Sequence, residues 1–80
     1  MSSLARKFKE YPAIVAARVD KDRITAQLSD GREVAIPMAW FPRLLGATKV
    51  QRSRLVVSPG GYGIHWPEVD EDISIKAFLD

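Results

Sequence analysis

The amino-acid sequence predicts a small α+β domain in which two antiparallel hairpin units, with about four to six strands, are covered by short helices. Three observations predict this class: apolar residues that alternate along several segments, glycine-containing turns between those segments, and short stretches with helix-start signals. A chain of 80 residues makes one domain. We expect residues 1–12 to be a flexible, basic N-terminal segment and residues 13–80 to form the single domain.

Three strands are predicted in the first hairpin unit. Two runs alternate between apolar and other side chains on either side of a turn at residues 20–22. Asp30-Gly31 supplies the positive φ that a two-residue hairpin turn needs, so a third strand is expected after it. The predicted apolar face of these strands, which requires a cover, consists of Val15, Ala17, Val19, Ile24, Ala26, Leu28, Val34 and Ile36.

The middle of the chain is predicted to leave the sheet. Pro37 ends the first sheet because proline cannot donate a ladder hydrogen bond. The segment 40–45 then reads as a short helix, with Pro42 in its first turn and Gly46 at its end.

A second hairpin unit is predicted in the C-terminal half. Ahead of it, Thr48 and Gln51 fit a capping box, which predicts a further helical turn. Residues 55–57 return as a strand, residues 59–63 form a turn, and residues 64–66 form the return strand.

The C-terminal segment is predicted to close the domain. Residues 67–72 are expected to be an acidic loop, after which residues 73–75 re-enter the core. Ser74 is expected to cap a last helical turn.

Composition restricts the class of protein. The chain has no cysteine, so neither disulfides nor a thiolate metal site can stabilise it, and we expect a cytoplasmic location. No apolar run reaches the roughly 20 residues that a bilayer crossing needs. Residues 1–54 hold eleven basic and five acidic residues, and residues 55–80 hold one basic and five acidic. The net charges of the two parts thus have opposite signs. This predicts either neutralisation across the fold or a basic surface that attracts an anionic partner.

No catalytic constellation is evident. The glycines at 60–63 do not have the spacing of a dinucleotide or phosphate loop and predict a hairpin turn. His65 is the only histidine, and it is expected to lie on a strand facing away from Ile64 and Trp66. No serine has a nucleophile-elbow context, and the acidic segment lacks the pattern of an EF-hand. We therefore expect no enzyme activity, no catalytic residue, no cofactor and no metal.

Two sets of residues are candidates for binding macromolecules. The first set combines aromatic and acidic side chains at a density that folding alone does not require, and it is predicted to contact another protein: Tyr62, His65, Trp66, Glu68, Asp70 and Asp72, with Trp40 and Phe41 as mixed core and interface residues. Core packing of the tryptophans, and caps and salt bridges for the acidic residues, are the structural alternatives. The second set is an alternative for nucleic acid, since basic residues beside aromatics can grip single strands: Arg43, Lys49, Arg52 and Arg54. A solvated helix face also explains these basic residues.

Four sequence blocks occur in a distinctive order: Asp30-Gly31-Arg32, Trp40-Phe41-Pro42-Arg43-Leu44, Gly61-Tyr62-Gly63-Ile64-His65-Trp66-Pro67 and Asp70-Glu71-Asp72-Ile73-Ser74. In these blocks the chain resembles the small bacterial family called domain of unknown function 2442. The resemblance implies a small α+β domain and fixes no activity. Some members are encoded beside a second small protein, in an arrangement similar to a toxin–antitoxin pair. One departure is Lys49-Val50-Gln51, where the family more often has Pro-Glu-Gln, so the surface here is more basic.

The leading expectation is a non-enzymatic protein-interaction module, and one form of such a module is the antitoxin-like partner of a neighbouring small protein. The partner is expected to be that protein or a second copy of the chain. The alternative is a nucleic-acid-binding or regulatory module that uses the basic residues. We expect no membrane contact.

Overall fold

The computed structural model describes residues 11–79 and places two three-stranded antiparallel sheets around one hydrophobic core. The predicted α+β class is confirmed. Most of the predicted N-terminal segment, residues 1–10, lies outside the described residues. Tyr11, near the end of that segment, packs against the core. Within residues 11–79, no helix is both long enough and apolar enough to cross a membrane.

The first sheet consists of β1 (Ile14–Val19), β2 (Arg23–Leu28) and β3 (Glu33–Pro37), in that spatial order. The prediction that the first sheet ends at Pro37 is confirmed. The hairpin between β2 and β3 is also present, but its loop has three residues rather than two. The Leu28 N–H donates to the Arg32 carbonyl at 2.8 Å, and Gly31 has a φ of +94°. This is a turn followed by a left-handed residue, the usual geometry of a three-residue hairpin loop.

A bulge in β1 corrects one part of the predicted apolar face. Ile14 is opposite Leu28 and Ala16 is opposite Gln27, so Val15 has no partner of its own. An extra residue shifts the alternation of the strand, because successive side chains point to opposite faces. Val15 is therefore exposed, whereas Ile14 takes the buried position. The prediction of Val15 on the core face is wrong.

Short helical segments connect the two sheets, as predicted. A 3₁₀ turn (Met38–Trp40) leads into helix α1 (Pro42–Leu45), which has Pro42 in its first turn and Gly46 as its C-cap. Helix α2 (Lys49–Ser53) begins with the predicted capping box. The Gln51 N–H donates to Thr48 Oγ1, and the Thr48 N–H donates to Gln51 Oε1, both at 3.0 Å.

The second sheet consists of β4 (Val56–Val57), β5 (Gly63–Trp66) and β6 (Glu71–Ser74), and helix α3 (Ile75–Leu79) follows it. The predicted acidic loop is shorter than expected: only residues 67–70 form the turn, and Glu71 and Asp72 already belong to β6. Pairing with β5 makes both residues part of the sheet, with Glu71 opposite Trp66 and Asp72 opposite His65. Ser74 caps the last helix as predicted, since its Oγ accepts from the Lys76 N–H at 3.0 Å.

Candidate functional site

The two faces of the second sheet have different characters. Cross-strand partners share a face, and the register aligns Val56 with His65 and His65 with Asp72. On the opposite face of the sheet, Ile64 and Ile73 are cross-strand partners, and both are buried. The row of Val56, His65 and Asp72 faces solvent, and we call it the outer sheet face.

An imidazole–carboxylate pair orders the outer sheet face. His65 Nδ1 lies 2.5 Å from Asp72 Oδ1, and the two side chains are 43% and 76% exposed. The bond fixes the ring orientation and leaves Nε2 without a hydrogen bond within residues 11–79. No hydroxyl in this part of the chain is hydrogen-bonded to the ring, so the pair lacks the nucleophile that a triad needs. It can act as a directional polar contact.

Trp66 does not belong to the exposed surface. Its side chain is 0% exposed, and its Nε1 donates to the Arg52 carbonyl at 2.9 Å. The predicted partner contact is therefore wrong for this residue, since a fully buried ring cannot reach a partner in this conformation. The cause is the strand period of two: Trp66 lies on the same face as Ile64, and His65 faces the other way, as the sequence predicted.

The other predicted aromatic residues are at different places. Tyr62 is 74% exposed at the turn that enters β5. Trp40 is 60% exposed on the 3₁₀ turn that packs against β2 and α1, and Phe41 is half-buried against the core. Each residue thus has one part of the expected mixed character: Phe41 packs against the core, and Trp40 is exposed.

The turn into β5 is built on glycine. Gly61 has a φ of +72°, and a Cβ there would lie 2.6 Å from the Ile14 carbonyl oxygen. Only glycine allows this close approach, which seats the turn against the start of β1. The predicted hairpin turn is present, and it also attaches the second sheet to the first.

The predicted acidic and basic residues meet at residues 67–70, which we call the acidic turn. Arg54 Nη1 is 2.6 Å from Glu68 Oε2, and Arg43 Nη1 donates to the Asp70 carbonyl at 2.9 Å. Asp70 has a φ of +60°, in the left-handed region that aspartate tolerates in tight turns. Two residues of the predicted nucleic-acid set therefore serve to hold the acidic turn.

The remaining two basic residues of that set lie elsewhere. Lys49 and Arg52 line a groove together with Lys21, which stands in the turn between β1 and β2. We call it the basic groove. Sequence reasoning missed Lys21 because no sequence signal places a residue of this turn beside a helix 28 positions later. No cluster of three or more metal-ligating side chains occurs among residues 11–79.

The fold and its surfaces can now be compared with known proteins. A family model described as "Protein of unknown function (DUF2442)" matches residues 14–80. The chain belongs to this family. A crystal structure of a protein of unknown function from Rhodospirillum rubrum ATCC 11170 is similar, with 29% identity, 88% of this chain and 87% of that chain covered, and a TM-score of 0.76. Among curated proteins, none matches the chain. The family and fold predicted from the sequence blocks are confirmed, and neither comparison names an activity.

Proposed function

We infer that this protein is a non-enzymatic protein-interaction module whose outer sheet face, together with Tyr62, binds the partner. One observation carries the proposal: Val56, His65 and Asp72 form an exposed row on the side of the second sheet that the core does not use. An apolar side chain beside an ordered imidazole–carboxylate pair offers both apolar contact and directional hydrogen bonds. Tyr62 adds a large exposed ring, of the kind that anchors interfaces.

The partner in this proposal is a second small protein. The family resemblance supports a protein encoded beside this one, with the chain as its neutralising, antitoxin-like half. A homo-oligomer is the other protein partner that the same surface would suit. A cytoplasmic location belongs to the proposal and is supported by the absence of cysteine.

The proposal excludes turnover at the outer sheet face. The His65–Asp72 pair lies on an open strand surface, and the basic groove is lined by other side chains. Enzymes enclose the reacting atoms so that water is excluded, and an exposed strand pair does not provide such an enclosure. His65→Ala is therefore expected to weaken partner binding without removing any catalytic step.

Co-expression with the product of the neighbouring gene tests the proposal. We expect a complex that elutes as one species in size-exclusion chromatography and that Tyr62→Ala, His65→Ala and Asp72→Ala each weaken. Leu45→Ala is the matched control, because it also removes an exposed apolar side chain but lies on α1. If the partner is toxic, only the wild type and the control restore growth of the host.

Three results would contradict the proposal. One is a monomer that binds neither the neighbouring protein nor itself. Another is a complex whose affinity is the same in all four variants. The third is a complex weakened by Leu45→Ala alone, which would move the interface to α1.

Nucleic-acid binding by the predicted basic set has less support. Arg43 and Arg54 hold the acidic turn, so these two guanidinium groups lie beside carboxylates or carbonyls that repel phosphate. A mobility shift at low salt that disappears as salt rises would favour this alternative. Absence of a shift would remove it.

A further inference from the structure

The basic groove joins two segments that are far apart in sequence. Its walls are Val19, Asp20 and Lys21, at the end of β1 and the following turn, and Lys49, Arg52 and Ser53 on α2. Its volume is about 720 Å³, which is within the range of small-molecule sites, roughly 300–1,000 Å³. Folding therefore brings three cationic side chains to one concave surface.

Arg52 contacts the core through both its side chain and its backbone. Its Nη1 donates to the sulfur of the buried Met38 at 3.3 Å, and its carbonyl accepts from Trp66 Nε1. The guanidinium group is thereby anchored at one nitrogen, and its remaining N–H donors stay available. A preorganised arginine loses less entropy when it binds an anion than a free one does.

The cations of the basic groove have no acidic partner within residues 11–79. No carboxylate of this part of the chain lies within 4.0 Å of Lys21, Lys49 or Arg52, although four other ion pairs exist there. Asp20, the one acid that lines the groove among the described residues, uses Oδ1 to accept hydrogen bonds from the N–H groups of Asp22 and Arg23. Its carboxylate is thus bound to its own turn, and the charge of the groove stays positive.

We propose that the basic groove binds a small phosphorylated ligand, which Lys21, Lys49 and Arg52 recognise through its phosphate or diphosphate group. Arginine and lysine together give charge-assisted hydrogen bonds to phosphate oxygens, and Ser53 lines the same wall. None of the lining residues between positions 11 and 79 is aromatic, so this part of the chain gives the groove no stacking surface of the kind by which proteins hold single-stranded nucleic acid. Arg43 and Arg54, the other two residues of the predicted nucleic-acid set, are held at the acidic turn. A compact anion therefore fits better than a polymer.

Titration with sodium pyrophosphate at constant ionic strength, followed by two-dimensional ¹H–¹⁵N NMR, tests the proposal. We expect saturable shifts of the backbone amides of residues 19–21 and 49–53. Lys21→Gln and Lys49→Gln are each expected to weaken binding about ten-fold, the effect of losing one charge-assisted hydrogen bond. Lys76→Gln is the control, since it removes the same charge from α3, outside the groove.

Further ligands separate the sources of the phosphate. Adenosine diphosphate is expected to bind about as well as pyrophosphate, because recognition is of the phosphates, whereas sulfate at the same ionic strength should bind more weakly. An oligonucleotide whose affinity rises with length would overturn the small-ligand proposal in favour of nucleic acid. Shifts that never saturate, or a Lys76→Gln variant as impaired as the groove variants, would overturn it entirely.

The two proposals fail independently. Lys21 and Lys49 are exposed, and no hydrogen bond of their side chains supports the fold within residues 11–79, so both variants should keep the wild-type spectrum away from the groove. If Lys49→Gln nevertheless disturbs α2, Lys21→Gln alone gives the answer. Partner binding is measured with variants of Tyr62, His65 and Asp72, which do not line the basic groove, so failure of one proposal leaves the other to be decided by its own variants.

Discussion

The strands of the first sheet are five or six residues long, whereas those of the second have two to four. The first sheet is held by contacts near in sequence: Arg32 pairs with Asp30, and Gln27 Nε2 donates to Glu33 at 3.0 Å. The second sheet is held largely by groups outside it. Its turn fits against β1 through Gly61, and the indole of Trp66 bonds to α2.

The difference shows how a short sheet can exist in so small a domain. Few ladder hydrogen bonds form between strands of two to four residues, and an isolated hairpin is at best marginally stable. The second sheet therefore depends on burial of its inner face, and its outer face is not needed to stabilise the fold. An outer face without a structural role can be used for binding, and four predictions probe this difference between the two sheets.

Trp66→Ala is expected to have the largest effect. Truncating a fully buried tryptophan costs about 3–5 kcal/mol, close to the whole stability of a domain of this size. Trp66→Phe keeps most of the volume but leaves the Arg52 carbonyl without its donor, at a cost of about 1–3 kcal/mol. Urea denaturation followed by circular dichroism measures both. Trp40→Ala is the control and should change the free energy of unfolding by less than about 0.5 kcal/mol, because its side chain is exposed.

Gly61→Ala tests whether the second sheet depends on β1. Alanine at positive φ costs about 1–2 kcal/mol, and the Cβ would also meet the Ile14 backbone, which adds about 1–3 kcal/mol. Gly31→Ala has the same conformational cost but no atom within 4 Å of the new Cβ. Chemical denaturation should therefore show the larger loss for Gly61→Ala. Equal losses of unfolding free energy in the two variants would mean that contact with β1 does not stabilise the second sheet.

Acid is expected to weaken the first sheet. Hydrogen bonds from the Arg23 and Arg32 N–H groups lower the pKa values of Asp20 and Asp30, respectively, below the usual 3.8. A hydrogen bond from Arg18 likewise lowers the pKa of Glu33 below 4.5. Because these pKa values are lower in the folded chain than in the unfolded chain, the stabilisation is complete above the unfolded values. It is lost as the pH falls through the folded values.

Denaturation at about pH 7 and about pH 3 measures that loss. Asp30→Asn and Glu33→Gln should each be less stable than the wild type at neutral pH and lose less on acidification. Lys76→Gln should lose as much stability on acidification as the wild type does. An unchanged pH dependence in the two carboxylate variants would contradict the assignment.

His65→Ala and Asp72→Ala are expected to have the smallest effects on stability. The pair is exposed, and exposed pairs contribute about 0–1 kcal/mol. Both variants should therefore unfold within about 1 kcal/mol of the wild type, which would make any loss of partner binding a property of the surface. A loss comparable to that of Gly61→Ala would give the outer sheet face a structural role and weaken the proposed function.

Local signals in the sequence were sufficient for much of the fold. Pro37 and the Thr48 capping box predicted a strand end and a helix start correctly, and Asp30-Gly31 predicted the position of a hairpin although not its loop length, since each depends on backbone geometry within a few residues. The alternation around His65 also predicted its direction correctly. Val15 was misplaced because a bulge shifts the alternation without changing the composition of the strand.

The candidate site was only partly predictable. Tyr62, His65 and Asp72 are exposed, whereas Trp66 is buried, and an aromatic residue in a short strand fits either environment. The grouping of Lys21 with Lys49 and Arg52 had no precursor in the sequence, because it depends on how α2 packs against β1.

The sequence by itself determined the class of fold, the approximate positions of its elements and the alternating faces of most strands, because these follow from local backbone preferences and side-chain periodicity. The family was indicated separately, by the resemblance of the four sequence blocks. Only the tertiary structure decided which tryptophan is buried, which arginines are held by the acidic turn and which cations share a groove. Those outcomes depend on contacts between residues far apart in the chain, and no local preference encodes them.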